Sequence, residues 1–134
     1  MIAGNGIDII EIDRIAAASR NSRFNNRVFT PGELQESKEL PQHLAGCFAA
    51  KEALLKSLGT GLAGFSWLEM EVHHDERGAP YFQVSGKIRS YLEKTGITRI
   101  HLSISHSQLY AIAQVILETE DRHEGCTSGT DAGH

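Results

Sequence analysis

Two acidic side chains and a lysine occur in surroundings that point to chemistry. Asp8 lies in an isoleucine-rich strand segment, between Ile7 and Ile9, where a carboxylate is costly unless a cation or a partner neutralises it. Glu52 and Lys56 are four residues apart on a predicted helix. Asp8 could form a buried salt bridge or cap a helix, and Glu52–Lys56 could be an ordinary surface pair. Together, two carboxylates and a lysine also suit magnesium-dependent phosphoryl-type transfer.

A glycine-rich turn and a histidine beside serines add candidate phosphate contacts. The turn Gly59-Thr60-Gly61 follows the predicted helix directly, and glycines there allow main-chain N–H groups to turn towards a phosphate. His106 follows Ser105 at the end of a predicted strand. This histidine could contact phosphate, transfer a proton, or serve only as a turn residue. His73 and His74 are expected to point to opposite strand faces, so we predict no metal site there.

Arginines form a positive segment in a chain that is negative overall. Residues 14–32 contain no acidic residue, and their arginines are Arg14, Arg20, Arg23 and Arg27. The net charge of −4 arises entirely from residue 118 onwards, because residues 1–117 carry twelve charges of each sign. Such an arginine segment predicts an anionic partner. Nucleic acid is not expected, because no aromatic-lined groove accompanies the arginines.

These residues are distributed over a predicted element order β-α-α-α-β-β-α-β-β. The predicted strands cover 3–12, 68–74, 80–85, 98–105 and 110–117, and the predicted helices cover 13–27, 31–39, 43–58 and 86–95. Thr30 and Glu33 predict a capping box, Pro41 is expected to interrupt that helix, and Gly59 to end the next one. The order predicts an α+β fold with mostly antiparallel strands.

The predicted helix over 43–58 has two different faces. Its apolar stripe is expected to contain Leu44, Cys47, Phe48, Leu54, Leu55 and Leu58. A second face consists of Ala45, Ala49 and Ala53, whose small side chains would allow a ligand or another backbone to approach closely. Glu52 and Lys56 lie at the border between the two faces.

The composition is that of one globular domain. With 134 residues, 40% hydrophobic and 22% charged, we expect a single domain over 1–118 and a disordered tail over 119–134. Cys47 and Cys126 form neither a disulfide framework nor a zinc pattern. No basic segment precedes an apolar run, and no apolar stretch approaches a membrane span. We therefore expect a cytoplasmic protein that does not enter a membrane.

Five segments, in order and spacing, are similar to the bacterial holo-acyl-carrier-protein synthase family of small phosphopantetheinyl transferases. The segments are GIDIIEIDRI at 6–15, FTPGEL at 29–34, LAGCFAAKEALLKSLGTG at 44–61, FSWLEMEVHHDERGAPYFQVSG at 65–86 and HLSISHSQLYAIAQVILE at 101–118. The resemblance implies the phosphopantetheinyl transferase fold, with a long central helix against the sheet. It also implies transfer of phosphopantetheine from coenzyme A to a carrier-protein serine.

The resemblance implies a site for Mg²⁺ and coenzyme A. Asp8 and Glu52 match the metal ligands, with the pyrophosphate and waters completing the coordination. The residues that match coenzyme A contacts are Lys56, Gly59, Thr60, Gly61, Pro80, Ser105 and His106. Many members have arginine where this chain has Cys47. The 3′-phosphate would therefore need another base here, or be held more weakly.

The resemblance also implies two macromolecular partners. An acidic acyl carrier protein, of fatty-acid or polyketide synthesis, would dock on Arg14, Arg20, Arg23 and Phe24. Copies of the chain would form a homotrimer with active sites at subunit interfaces, for which the alanine face would suit close packing. The carrier-protein serine also needs a base to accept its proton, and the two candidates are Glu52 acting through a metal-bound water and His106.

Two other functions remain compatible with the residues alone. A non-catalytic module could dock acidic proteins through the arginines, but it would leave Asp8, Glu52 and Lys56 without a role. A magnesium phosphotransferase acting on another nucleotide would use those three residues. The mass of an apo carrier protein after incubation with coenzyme A and Mg²⁺ would distinguish these alternatives.

Overall fold

The computed structural model describes residues 1–59 and 63–120. Within these residues the strands are β1 (Ile2–Glu11), β2 (Met70–His74), β3 (Pro80–Val84), β4 (Ile97–His106) and β5 (Tyr110–Thr119). The α-helices are α1 (Ile12–Ala18), α2 (Ser22–Val28), α3 (Pro31–Ser37), α4 (Pro41–Ser57) and α5 (Gly86–Lys94), and a 3₁₀ turn covers Trp67–Glu69. This order confirms the predicted α+β class.

The strands are antiparallel, as predicted, and they form two units. One is a three-stranded sheet in the order β1-β5-β4, and the other is the β2–β3 hairpin. In the larger sheet Asp8 lies opposite Ala113, and Ala113 lies opposite Ile104. Because alternate strand residues share a face, Gly6, Asp8 and Ile10 all point to one side of β1.

Helix α4 packs against that side of the sheet, contacting both β1 and β5. Ala45, Ala49 and Ala53 are fully buried within the single chain. A Cβ atom at Gly6 would collide with the carbonyl oxygen of Ala53, so the strand and the helix backbone touch directly. The expectation that the alanine face packs between subunits is therefore wrong, because the chain's own sheet covers it.

The predicted helix over 13–27 is two helices. Helix α1 ends at Ala18, and α2 begins at Ser22 after a short break. The break is stabilised by polar side chains, since the Asn21 side chain accepts a hydrogen bond from the Arg23 N–H (2.9 Å) and Asn25 donates to the Ser19 carbonyl (2.8 Å). Such side-chain bonds to the backbone compete with a continuous helix.

The capping box of α3 is confirmed. The Thr30 hydroxyl accepts from the Glu33 N–H (3.1 Å), and Glu33 accepts from the Thr30 N–H (2.9 Å). Helix α3 stops at Ser37, earlier than predicted, because Lys38 and Glu39 adopt positive φ angles of 52° and 55°.

The role predicted for Pro41 is wrong. Pro41 does not interrupt a helix but opens α4. Proline suits this first helical position, where an N–H group would have no partner within the helix. Helix α4 therefore begins two residues before the predicted start and runs to Ser57.

The last strand passes the predicted domain boundary by one residue. Thr119 ends β5, and its N–H donates to the Met1 carbonyl oxygen at 2.8 Å. Residues 121–134 of the predicted tail lie outside the described residues. In the described part of the chain, none of the helices has both the length and the apolar character needed to cross a membrane.

Candidate active site

Asp8 and Lys56 meet where β1 passes over the second half of α4. The Lys56 ammonium donates to Asp8 Oδ1 at 2.9 Å and to the Ile7 carbonyl oxygen at 3.2 Å. The Asp8 side chain is only 14% exposed, whereas that of Lys56 is 55% exposed. The lysine therefore neutralises a shielded carboxylate from the solvent side, and it can move without disturbing the core.

Glu52 lies one helical turn before Lys56 and shares the same environment. Burial raises the pKa of the Glu52 carboxyl, the negative charge of Asp8 raises it further, and Lys56 partly offsets both effects. Of the alternatives left open by the sequence, the surface pair between Glu52 and Lys56 is not formed, since Lys56 bonds to Asp8 instead. The structure thus brings two carboxylates and one cation together, as the sequence suggested.

The two carboxylates suit a hard divalent cation whose remaining ligands come from a substrate and from water. Among residues 1–59 and 63–120, no three His, Cys, Asp or Glu side chains lie close enough to hold a metal by themselves. Mg²⁺ is usually bound through one or two carboxylates, with phosphates and waters completing its coordination. The mutual repulsion that raises the Glu52 pKa next to Asp8 is what a cation between them would relieve.

Gly59 ends α4 as predicted. Its φ angle is +87°, a left-handed conformation that suits glycine, and its N–H donates to the Lys56 carbonyl at 3.2 Å. The other two predicted residues of this turn, Thr60 and Gly61, lie outside the described residues.

A separate cleft of about 430 Å³ gathers other predicted residues. Pro80 and His106 both line it, as does Cys47. Ser105 is exposed and precedes His106 on β4, so strand alternation directs it to the opposite sheet face. The structure therefore brings Pro80 and His106 together and leaves Ser105 on the other side of the sheet.

Cys47 presents an uncharged thiol to this cleft. Burial raises the pKa of the Cys47 thiol well above its ordinary value, and the nearby Glu33 carboxylate contributes to the rise. The bases that line the cleft with it are His43, His74 and His106. The carboxylates of Glu33 and Glu36 also line the cleft, so a phosphate there would meet imidazoles and carboxylates and no arginine.

Within one chain, the carboxylate cluster and the cleft lie at opposite edges of the sheet. Asp8 is on β1, whereas Ile104 and His106 of the cleft are on β4. Strand β5 lies between them, which corresponds to a separation of about 10 Å. Helix α4 crosses the same face, and none of Asp8, Glu52 and Lys56 lines the cleft.

The arginine segment forms an exposed surface on α1, α2 and the break between them. Arg14, Arg20, Arg23 and Arg27 are all exposed. The ion pairs found within the described ranges involve none of these four arginines. Their charges are thus available to an external partner.

Phe24 connects this surface to α4 through stacked rings. It packs edge-on against Phe29 with ring centroids 6.0 Å apart, and it contacts Phe48 at 6.3 Å. The Phe48 ring in turn stacks on Trp67 at 5.6 Å. Phe24 therefore lies between the arginine surface and the helix that carries Glu52.

Sequence reasoning missed a buried ion pair next to Glu52. Lys51 and Glu33 have side chains that are 0% and 3% exposed and lie 2.7 Å apart. The available signal was spacing, because Lys51 falls four residues after Cys47 and three before Leu54, inside the predicted apolar stripe. A lysine in that stripe indicates a buried partner.

The family model described as "4′-phosphopantetheinyl transferase superfamily" matches residues 4–115. The chain therefore belongs to this superfamily of transferases. It is 43% identical to the holo-(acyl-carrier-protein) synthase of Thermoanaerobacter sp. (strain X514), with 94% of each chain covered. These findings confirm the family that the sequence motifs predicted.

Two solved structures extend the comparison. The crystal structure of a holo-(acyl-carrier-protein) synthase from Neisseria meningitidis has a TM-score of 0.81 and 36% identity, covering 89% of this chain and 100% of that chain. A synthase from Bacillus anthracis, in complex with CoA (3′,5′-ADP), has a TM-score of 0.73 and 41% identity, covering 90% of this chain and 99% of that chain.

Proposed function

We propose that this transferase is a holo-(acyl-carrier-protein) synthase, which moves 4′-phosphopantetheine from coenzyme A to a serine of an apo acyl carrier protein and releases 3′,5′-ADP. The observation that carries the proposal is the cluster of Asp8, Glu52 and Lys56. The cluster accounts for phosphate and metal chemistry. The activity named for relatives that are 43% identical, and the CoA complex of the Bacillus anthracis structure, indicate which phosphate compound is used.

In the proposed reaction, the serine oxygen bonds to the β-phosphorus of coenzyme A as the bond to the leaving 3′,5′-ADP breaks. Mg²⁺, held by Asp8 and Glu52, would supply a Lewis acid for the pyrophosphate oxygens. Lys56 neutralises charge on the leaving phosphate, for which its exposed ammonium can leave Asp8.

The serine proton needs an acceptor, and two residues are candidates. Glu52 is the first, acting through a metal-bound water, because it lies in the carboxylate cluster with Asp8 and Lys56. His106 is the second, and it lines the cleft rather than the carboxylate cluster. A kcat–pH profile of His106→Gln that keeps the wild-type acidic limb would favour Glu52.

We also propose that the active site is completed in a homotrimer, with α4 as the central helix of each subunit. Support comes from the separation of the carboxylate cluster from the cleft at opposite sheet edges. The sheet face away from α4 also exposes Ile7 and Ile9, which are 54% and 61% accessible in the single chain. Exposed isoleucines side by side are typical of a surface covered by another copy.

The carrier protein is proposed to dock on Arg14, Arg20, Arg23 and Phe24. The support is the exposed charge of these arginines and the contact of Phe24 with Phe48 on α4, which would bring a bound serine towards Glu52. We place the reaction in the cytoplasm, where the thiol of Cys47, free in the structure, would stay reduced.

The decisive experiment is intact-mass measurement of an apo acyl carrier protein after incubation with coenzyme A, Mg²⁺ and the enzyme. The expected result is a gain of one phosphopantetheine that chelation of Mg²⁺ abolishes. Absence of any gain with carrier proteins of both fatty-acid and polyketide synthesis would overturn the proposal and favour a docking module. Gain that survives chelation would overturn the metal assignment alone.

Comparison of coenzyme A with dephospho-coenzyme A tests the consequence of Cys47. We propose that the cleft's histidines, among them His43 and His74, take the place of the arginine that many family members carry. A strong preference for coenzyme A is then retained. Equal kcat/KM for the two substrates would mean that this chain makes little contact with the 3′-phosphate.

A further inference from the structure

Lys51 is a fully buried lysine whose three ammonium protons all have acceptors. Its Nζ donates to the Val28 carbonyl at 2.6 Å, to Glu33 Oε1 at 2.7 Å and to the Trp67 carbonyl at 3.3 Å. An ammonium has three donors and no acceptor, so this set leaves none of them unpaired. The proposed chemistry assigns Lys51 no role, although Glu52 is the next residue.

The Glu33 carboxylate extends this network to two further backbone groups. Its Oε1 accepts from the Thr30 N–H at 2.9 Å, and its Oε2 accepts from the Val72 N–H at 2.7 Å. One buried ion pair therefore fastens the end of α2, the start of α3, the middle of α4, the 3₁₀ turn and β2 to a single point.

One of those elements, α2, carries part of the surface proposed for the carrier protein, and α4 and the 3₁₀ turn connect to it through aromatic contacts. Val28, whose carbonyl Lys51 holds, is the last residue of α2, and Arg23 and Phe24 lie one turn and more before it. Trp67, whose carbonyl Lys51 also holds, stacks on Phe48. Phe48 and Lys51 belong to the same helix as Glu52.

The use of a charged pair at this place is itself informative. A buried ion pair is often no more stabilising than well-packed apolar residues of the same size, so stability alone gives little reason for it. What the pair adds is fixed geometry, because its hydrogen bonds to backbone groups hold those groups in place. Helix α2 is only seven residues long, and the bond from Lys51 to the Val28 carbonyl acts at its last residue.

We propose that Lys51 is a positioning residue for carrier-protein recognition, which holds α2 in register with Glu52. The proposal rests on the proposed function, since it assumes that α2 carries the docking surface. Lys51 touches neither substrate. It acts through the Val28 carbonyl on the placement of Arg23 and Phe24, and through Trp67 on the ring of Phe48.

The test uses Lys51→Met in the full chain, which keeps the side-chain length and removes the charge. We expect the KM for the carrier protein to rise about tenfold, because a displaced docking helix weakens an extended interface, while kcat and the KM for coenzyme A stay within about twofold. Hydrogen exchange of the free enzyme should quicken more at residues 22–29 than in β4 and β5, where only the loss of overall stability changes the exchange rate. Equal changes in both KM values, or unchanged exchange at 22–29, would overturn the proposal.

A second variant addresses folding. Lys51→Met leaves the Glu33 carboxylate buried without its cation, so Lys51→Met/Glu33→Gln removes both charges and should show the same selective rise in carrier KM. A wild-type carrier KM in a folded double variant would contradict the proposal. Failure of both variants to fold would assign the pair a folding role only and also overturn it.

The outcomes separate this inference from the proposed function. If the wild-type enzyme transfers nothing to any carrier protein, the proposed function fails. Accelerated exchange at 22–29 in the variant would then show that Lys51 orders α2, but the assignment to carrier recognition would fall with the function. If wild-type transfer is normal and only the variant's KM pattern is wrong, the inference alone fails.

Discussion

Helix α4 provides the lysines of two lysine–carboxylate pairs that differ in their exposure to solvent. Lys51 and Glu33 lie 2.7 Å apart with side chains 0% and 3% exposed, whereas Lys56 and Asp8 lie 2.9 Å apart with side chains 55% and 14% exposed. The two lysines are only five residues apart. Their distances are nearly equal, so solvent access distinguishes the pairs.

This difference explains which pair can take part in chemistry. Every donor of the Lys51 ammonium is used inside the protein, so a substrate could reach it only by breaking the core. The Lys56 ammonium stands between a shielded carboxylate and the solvent, so it could exchange Asp8 for a phosphate, as the proposed function would require. A buried pair fixes geometry, and an open pair can exchange partners.

The largest expected effect is the loss of transfer when the solvent-accessible Lys56–Asp8 pair is changed. Asp8→Asn removes one of the two carboxylates proposed for the cation, and we expect kcat to fall about 10³-fold, a size typical of a lost transition-state stabiliser. Thermal unfolding should change little. Asp13→Asn, at an exposed position of α1, is the matched control and should keep wild-type transfer. Activity of Asp8→Asn within tenfold of wild type would contradict the metal assignment.

Replacing Lys51 should cost more stability than replacing Lys56, the reverse of the order expected for transfer. Lys51→Met leaves a buried carboxylate without its cation, which typically costs about 3–5 kcal/mol of unfolding free energy. Lys56→Met breaks an exposed pair, which typically costs less than about 1 kcal/mol. Urea unfolding of both variants measures the difference, and transfer assays should rank them oppositely. Equal losses of stability would show that solvent access does not distinguish the pairs.

Mixing two variants, each impaired at a different residue, tests whether the Lys56–Asp8 pair works with a neighbouring chain's cleft. Asp8→Ala and His106→Ala are unfolded together, mixed in equal amounts and refolded. If each site combines Asp8 of one subunit with His106 of the next, about a quarter of the sites in a randomly mixed ring contain both wild-type residues. We therefore expect about a quarter of wild-type transfer. Activity no greater than that of the separate variants would indicate sites within single chains.

The sequence predicted most of the fold because its signals were local. The Thr30–Glu33 capping box, the Gly59 stop and the alternation of β4 each depend on residues within a few positions of one another. The break between α1 and α2 escaped prediction because it depends on Asn25 reaching back to the Ser19 carbonyl. Pro41 was misread because proline both ends and begins helices.

The candidate site was predicted in its residue types but not in its pairings. Asp8 and Lys56 are 48 positions apart in sequence, and only the packing of β1 against α4 brings them together. The alanine face was assigned to a subunit contact because its spacing is the same whether a sheet or a neighbour covers it. The role of Lys51 was not predicted because its acceptors at Val28 and Trp67 are backbone carbonyls, and a residue pattern does not show where a backbone carbonyl will lie.

The smallest expected effect concerns a third carboxylate, which is more exposed than those of Glu33 and Asp8. Glu71 is 27% exposed and accepts the Thr30 hydroxyl at 2.6 Å. This hydrogen bond lowers the pKa of Glu71, burial opposes it, and His73 lowers the pKa further. Between the lowered and the ordinary pKa the unfolded chain binds more protons, so stability falls as pH falls through that window.

Glu71→Gln should therefore cost about 1 kcal/mol of unfolding free energy at pH 7. The difference from wild type should shrink below the ordinary glutamate pKa, at about pH 4, and vanish below the lowered value. Urea unfolding at several pH values measures it. Glu93→Gln, which removes an exposed partner of Arg89, serves as the control with little expected effect. A difference at Glu71 that persists unchanged at acid pH would mean that packing, and not the charge, provides the stability.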